Sequence, residues 1–561
     1  MSETVGAAGG LSTRLLRSSA VVGLGTALSR ITGFLRVAAI AYAIGAGALA
    51  GTYSYANETP NMLYELLLGG VLTATLVPQF VRYVERDDDE AVNAIMTVAM
   101  TALVVVSVAG VLLAPYIVKL FTLRAEGASR AAQQDVATTL VRLFMPQMLF
   151  YGFTALASAL LNAHRRFVAA AFAPMLNNIV VIAIFLSLPR LVDGPITLDR
   201  VRGDTALLLT LGLGTTAGIA AVAVALLPAL RWAGVRLRLV FAWRHRAVIT
   251  MARLSGWTVG YVIANQIALW IVLVLANGRD GGPFIYLSAY AFFQLPHGLL
   301  AVSLMTTIAP EMASAAERRN LNALRERLSF GLRLTTFVIV PCAAAFISLA
   351  RPIVVALLQR GAFSAGDAQV VAHTIAAFSV GLVPFSIYLF SLRAFYSVHD
   401  TRTPFLLNCV ENALNIALAF PLYYAFGVPG LALAFSGAYG GAALLTLAVL
   451  HRRLGDLDGR RFGSTLTRSL AAGGVVALVT WLIAHGMGWS TPWAALGTTV
   501  VAGIIGFAVY FALAAALRMR ELDDLWSLFT PRVRRGGRPA DAAAAAGASF
   551  AGPADTEGRT V

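Results

Sequence analysis

The chain is 561 residues long, 58% hydrophobic and only 13% charged, with a mean hydropathy of +0.75. That composition excludes a water-soluble globular enzyme. The net charge of +15 does not mark a nucleic-acid binder, because the arginines sit in short loops between apolar runs. Cys342 and Cys409 both lie inside apolar segments, so no disulfide framework is expected. No His, Cys or carboxylate set has metal-ligand spacing and no nucleophile has a base nearby, so the chain does not read as an enzyme.

Residues 1–20 lack the pattern of a cleavable signal peptide and are read as a cytoplasmic N-terminus. Apolar stretches of helical length then follow at 22–44, 54–82, 92–121, 136–162, 168–189, 205–230, 247–276, 284–312, 328–350, 369–398, 404–425, 428–450, 466–487 and 492–517. At roughly twenty residues per crossing, these predict an all-α polytopic membrane protein of about fourteen transmembrane helices. Loops after even-numbered stretches hold roughly nineteen cations against about nine in the others, which places the even side and both termini in the cytoplasm of a bacterial plasma membrane. The residues after 518 read as a basic cytoplasmic tail over 519–561, disordered after about Pro531.

Two halves are visible. Phe144-Met145-Pro146 opens a helix ending near His164, with Pro174 and Asn178 following; Leu382-Val383-Pro384 opens one ending at His399, with Pro404 and Asn408 following. Pro60 and Pro78 are echoed more weakly by Pro296 and Pro310. An offset of six spans gives two copies inserted in the same direction, a parallel repeat of the kind secondary transporters use. The predicted organisation is an N-lobe at 21–230, an interfacial connector at 231–246 where apolar and basic residues alternate, a C-lobe at 247–452, and two extra spans at 464–518.

Ionisable residues at membrane depth cost at least about 2.5–3.5 kcal/mol each on insertion scales and normally face a wet cavity or a partner helix. Arg30 and Arg36 in the first span, opposite Glu58, Asn61 and Glu65 in the second, predict a central cavity that receives an anion; a structural pairing of these arginines with the glutamates is the competing reading. Arg253 and Arg393 are further intramembrane cations, Arg253 close enough to the cytoplasmic end to snorkel. Asn408, Glu411, Asn412 and Asn415 form a polar stripe on one helix face, which either binds a cation or only joins helices.

The stretch Ser29-Arg30-Ile31-Thr32-Gly33-Phe34-Leu35-Arg36, the Gly45-Ala46-Gly47 turn, Pro60-Asn61 with Gly70 and Val77-Pro78, Gln359-Arg360-Gly361-Ala362-Phe363, and the run Arg393-Ala394-Phe395-Tyr396-Ser397-Val398-His399-Asp400-Thr401-Arg402-Thr403-Pro404 together resemble the MurJ (MviN) lipid II flippases of the MOP exporter superfamily. The resemblance implies two six-helix lobes around a central cavity, a groove for a polyprenyl tail on the last two helices, and transfer of lipid II, the undecaprenyl-diphosphate-linked peptidoglycan precursor, to the outer leaflet by alternating access. By motif, Arg30 and Arg36 match the family's first-span cavity arginines. Asn61, Glu65 and Arg253 complete the substrate-binding expectation, while Arg360, Gly361, Arg393, Asp400, Arg402 and Pro404 belong to the shared motifs.

Departures are visible as well. The family's acidic position after the glycine turn is Gly51 here, its second-span arginine falls at Tyr64 or Glu65, and its eighth-span arginine falls at Ala291. Its sodium-site positions fall at Asn408 and Asn412, with the acid displaced to Glu411. The expected requirements are therefore no cofactor, with coupling to Na+, H+ or the membrane potential. Expected partners are lipid II, the bilayer and cell-wall synthesis proteins, with the chain itself a monomer. A flippase for another polyprenyl-linked saccharide, a cation-coupled multidrug antiporter of the same superfold, and a non-transporting cell-wall scaffold are the competing functions.

Overall fold

The structure is a computed structural model that describes residues 24–529 except 26, 70–76, 87, 165 and 255; the side chains of 251–258 and of several residues flanking the other gaps also lie outside the description. Among the described residues every regular element is helical. The N-lobe comprises α1 (Ala27–Ile44), α2 (Ala48–Tyr64), α3 (Val77–Val84), α4 (Asp89–Phe121), α5 (Gly127–Phe144), α6 (Gln147–Ala163), α7 (Phe167–Phe172), α8 (Pro174–Leu191), α9 (Leu198–Gly203) and α10 (Thr205–Trp232). The C-lobe comprises α11 (Arg246–Leu254), α12 (Gly256–Ala276), α13 (Gly282–Pro296), α14 (Val302–Glu317), α15 (Leu321–Leu357), α16 (Ala365–Val380), α17 (Leu382–Ser397), α18 (Arg402–Phe426) and α19 (Val428–Leu454). Outside the lobes, α20 (Gly459–Met487) and α21 (Pro492–Ala516) pack on α15, and α22 (Arg520–Phe529) closes the described chain.

Twelve helices are long and apolar enough to cross a bilayer, and α16 with α17, meeting at 44°, form one further bent span. The predicted count of fourteen is not reached among the described residues. The remaining segment is the polar second stretch, where α2 and α3 flank undescribed residues 70–76. The α16–α17 bend is built by local chemistry. Pro384 cannot donate to the preceding turn, and the Ser436 hydroxyl donates to the Ala377 carbonyl at 2.7 Å beside the break.

The echo between the second and eighth stretches has a structural counterpart. Helix α2, with Pro60 inside it, runs into a π-helical turn at Glu65–Gly69; α13 ends at Pro296 and runs into another at His297–Ala301. A proline's missing N–H weakens the preceding i→i−4 ladder, which eases the extra residue of a π turn into place.

The stretch after Pro531 read as disordered lies outside the described residues, and residues 520–529, the start of the tail assigned above to 519–561, form the helix α22. Its Leu522 and Leu525 pack on the C-lobe core, and Glu521 is buried where it meets Arg333 of α15 at 3.4 Å and accepts from the Thr465 hydroxyl of α20 at 2.6 Å. The connector is extended and docked on α4. Asn93 accepts from the Arg238 amide at 2.8 Å and donates to the Arg236 carbonyl at 3.2 Å, and Thr97 accepts from the Val240 amide at 2.9 Å. The alternate residues Leu237, Leu239, Phe241 and Trp243 are left exposed.

Candidate functional site

A cavity of about 610 Å³ lies between the lobes. Its N-lobe wall is formed by α1 and α2 with contributions from α6, α8 and α10; its C-lobe wall is formed by α12, α13, α17, α18 and α19. Arg36 is the one cation on the lining among the described residues, against two carboxylates, Glu58 and Glu411. Arg36 is half-buried and, among the described residues, makes no ion pair within 4 Å. Glu58 is held by its own helix, accepting from Asn61 Nδ2 at 2.8 Å. Unpaired guanidinium on a cavity wall is equipped for bidentate, charge-assisted bonds to an oxyanion.

The other expected residues are distributed differently. Arg30 sits six positions before Arg36, about 9 Å down α1, and outside the cavity lining. Its guanidinium covers Gly298 of the π turn after α13, so closely that a Cβ there would fall 2.6 Å from Arg30 Cζ. Asn61 reaches the cavity only through its bond to Glu58, and Glu65 opens the π turn after α2 without lining the cavity. The side chain of Arg253 lies outside the described residues. Arg393, expected as an intramembrane cation, is exposed on α17 and outside the cavity.

The polar stripe of α18 is brought against α12. Asn265 Oδ1 accepts from Asn408 Nδ2 at 3.0 Å and from Asn412 Nδ2 at 2.9 Å. Glu411 beside them is 1% exposed, and among the described residues its Oε2, Asn408 Oδ1 and Asn415 Oδ1 find no donor. A buried carboxylate oxygen and an amide oxygen without donors are the hard ligands that a monovalent cation or a proton takes, so the donor set fits such a guest. No group of three or more His, Cys, Asp or Glu gathers among the described residues. Asn265 and Gln266 went unread in the sequence, although an adjacent amide pair inside the apolar run of α12 is itself a signal.

Shared-motif residues brace the two ends of the molecule. Asp400 Oδ2 accepts from Arg453 Nη1 and from the Thr403 hydroxyl, each at 2.6 Å, and Oδ1 accepts from the Thr403 amide at 3.0 Å. Burial alone would raise the Asp400 carboxyl, but these Thr403 and Arg453 bonds outweigh it and hold the group below its ordinary value. Arg402 starts α18, and Pro404 is buried in its first turn. At the opposite end, Arg360 donates to the Ala356 carbonyl at 3.1 Å and lies over the Trp493 ring at 5.2 Å. Gly361 there takes a φ of +61° against Tyr42.

That opposite end, remote from the connector, is where the lobes are tied. The Ala362 amide donates to the Tyr42 carbonyl at 2.9 Å, Asn277 Nδ2 donates to the Phe121 carbonyl at 3.1 Å and to Gln133 Oε1 at 3.1 Å, and Arg124 donates to the Tyr424 hydroxyl at 2.8 Å. A separate apolar groove of about 560 Å³ lies among α15, α16, α17, α19 and α20; α21, expected to share it, is not on its lining.

Two lobes of bent helices joined by a docked connector, with a polar cavity between them, make up a fold shared with transporters of the MOP superfamily. An inward-facing multidrug-resistance MATE family transporter of that superfamily superimposes with a TM-score of 0.62 at 15% identity, covering 76% of this chain and 96% of that one. Residues 40–497 match the model of the family described as lipid II flippase MurJ, and the chain belongs to that family. A probable lipid II flippase MurJ of Vibrio cholerae serotype O1 is 27% identical over 539 residues, which is 91% of this chain and 98% of that protein. The lipid II flippase MurJ of Burkholderia cenocepacia is 28% identical over 400 residues, covering 70% and 75%. A structure of lipid II flippase MurJ in an inward-closed conformation has the same fold, with a TM-score of 0.70 at 19% identity over 88% of this chain and 98% of that one.

Proposed function

We propose that this chain carries lipid II across the bacterial plasma membrane, with the diphosphate received by Arg36 in the central cavity while the polyprenyl tail stays in lipid. The observation that carries this reading is the Arg36 guanidinium on the cavity wall, without an ion pair within 4 Å among the described residues, in a chain of the MurJ family. Charged phosphates do not cross hydrocarbon unaided, because burying them unpaired costs far more than thermal energy. The connector end is the cytoplasmic side in this reading, as the loop arginines suggest, and the tied far end faces outward. The apolar groove beside α20 is the proposed berth for the tail.

Asn408 and Glu411 are the proposed coupling site, holding Na+ or a proton and so linking transport to an ion gradient. One specific observation supports a second reading: two carboxylates to one arginine on the described lining would also suit export of an organic cation. Purified protein in vesicles separates them. Lipid II reaching the far leaflet in a protein-dependent and Arg36-dependent way supports the first, whereas transport of cationic drugs with no movement of lipid II supports the second.

A further inference from the structure

We propose that a second lipid-phosphate station lies at the outer end of the apolar groove, where Arg351 of α15 and His373 of α16 hold the diphosphate of the polyprenyl lipid once its headgroup has left the central cavity. This rests on the lipid II reading above and deepens it by giving the delivered lipid a place on the outer side. A cavity of about 480 Å³ is walled by α15, α16, α20 and the loop after α20, and it shares Ile347 and Ala477 with the apolar groove of about 560 Å³. The two form one furrow, apolar along most of its length and basic at one end. Arg351 stands six positions before the end of α15 at Leu357, on the side of the molecule where the Ala362 amide meets Tyr42 and the lobes are tied.

Arg351 and His373 both line the basic end, and among the described residues neither makes an ion pair within 4 Å or a hydrogen bond. No carboxylate lines either part of the furrow among the described residues. An arginine about 9 Å inside the end of a spanning helix is costly without a partner. Phosphate only accepts hydrogen bonds, which matches guanidinium and imidazole N–H donors with no competing acid beside them. The rest of that end is aromatic. His485 Nδ1 donates to the Trp481 carbonyl at 2.9 Å, and its ring lies 4.0 Å from Trp481 and 4.9 Å from Trp489, the residue type that sits at headgroup level. Length selects the occupant. The apolar part follows α20 from Phe462 to Ala477, which is about 22 Å of helix. One leaflet of the hydrocarbon core is only about 15 Å deep. A glycerophospholipid chain stays within its leaflet, whereas a polyprenyl chain anchored by its phosphate at the outer end fills the furrow.

The test uses the full-length protein in phosphatidylcholine nanodiscs, with a photocrosslinking residue in place of the exposed Leu478, which lines the basic end. The probes are radiolabelled undecaprenyl diphosphate and undecaprenol, the same chain without phosphate. The diphosphate should crosslink about tenfold more than the alcohol, the change expected when charge-assisted bonds are added. Arg351→Gln should cut diphosphate crosslinking about fivefold or more and leave the alcohol within about twofold, and Arg36→Ala should leave both within about twofold. Equal crosslinking of the two probes without any further substitution, a comparison independent of a variant's folding, overturns the station. Unchanged crosslinking of the diphosphate in Arg351→Gln also overturns it. Displacement of the diphosphate lipid by an equimolar amount of phosphatidylglycerol, or of inorganic phosphate, overturns the choice of occupant. Flipping of lipid II in vesicles is scored on the same protein: its absence overturns the carrier reading, and its persistence beside a failed crosslink overturns the station alone.

Discussion

The Ala362 amide and the Tyr42 carbonyl meet at 2.9 Å across the boundary between the lobes, main chain to main chain. Three glycines in the left-handed region make that approach possible: Gly45 at φ +66°, Gly281 at +74° and Gly361 at +61°. A Cβ on Gly281 would lie 1.6 Å from the Ala46 carbonyl oxygen, one on Gly361 2.4 Å from that of Tyr42, and one on Gly45 2.6 Å from that of Ala362. The far end is thus closed where no side chain fits, which ties the glycine turn and the Arg360-Gly361-Ala362-Phe363 motif to a single contact.

Gly281→Ala should therefore prise the far end open. In a variant freed of its native cysteines, spin labels at the exposed positions Glu126 and Phe426 should report a longer, broader distance distribution than the parent. An unchanged distribution would mean that the glycine contact does not govern closure.

Asp400 gives a pH signature. Its carboxyl is held below the ordinary range, so the folded state binds that proton more weakly than the unfolded state does. The stabilisation is then fully present above the unfolded value of about 3.9 and is lost as pH falls through the lower folded value. Asp400→Asn should lower the thermal midpoint at pH 7, with the gap to the parent closing in acid below about pH 4. A gap independent of pH would place its origin in packing of the loop.

Glu521 tests the helix α22. Arg333 is only 14% exposed, and removing Glu521 leaves Asp524 as the remaining carboxylate acting on it. Glu521→Ala should cost about 1.5–3 kcal/mol, the worth of hydrogen bonds to a charged group, and Arg333→Leu with Glu521→Leu should recover part of it, as read by thermal unfolding of the purified protein. If the double variant is as unstable as the single, the ion pair is not what fastens the helix.

Most of the architecture could be read from composition and period. Long apolar runs demand helices, and the matched prolines at 60 and 296 foretold breaks that the structure realises as π turns. What escaped was fixed by tertiary contact. Arg30 and Arg36 look equivalent in sequence, yet Gly298 opens a notch for one while the cavity takes the other. Helix α22 escaped because ten residues with an acidic first turn carry too weak a signal to be told from a tail, and only Arg333 and Thr465, both distant in sequence, bury its Glu521. Asn265 escaped because its partners lie more than a hundred residues away.

The last prediction separates the two arginines. Six positions on a helix place them about 120° apart around its axis, so they serve different surroundings. Arg36, on the cavity wall, should matter to transport, and losing a bidentate contact to phosphate should cost about 1.5–3 kcal/mol, more than tenfold in affinity. Lysine keeps the charge without the fork, so Arg36→Lys should fall between Arg36→Ala and the parent. Arg30, lying over Gly298 between α1 and the π turn, should act on the joint between the lobes. Arg30→Ala should then change the rate of flipping with little change in lipid II affinity, and Gly298→Ala, which displaces the guanidinium, should reproduce it. Lipid II affinity and outer-leaflet exposure are measured for all four variants in cells kept alive by a second flippase, with protein level checked by blot. If Arg36→Ala binds and flips as the parent does, the anion-receiving cavity is wrong. If Arg30→Ala and Arg36→Ala lose affinity equally, both guanidinium groups hold the diphosphate, and Arg30 must leave Gly298 to do so.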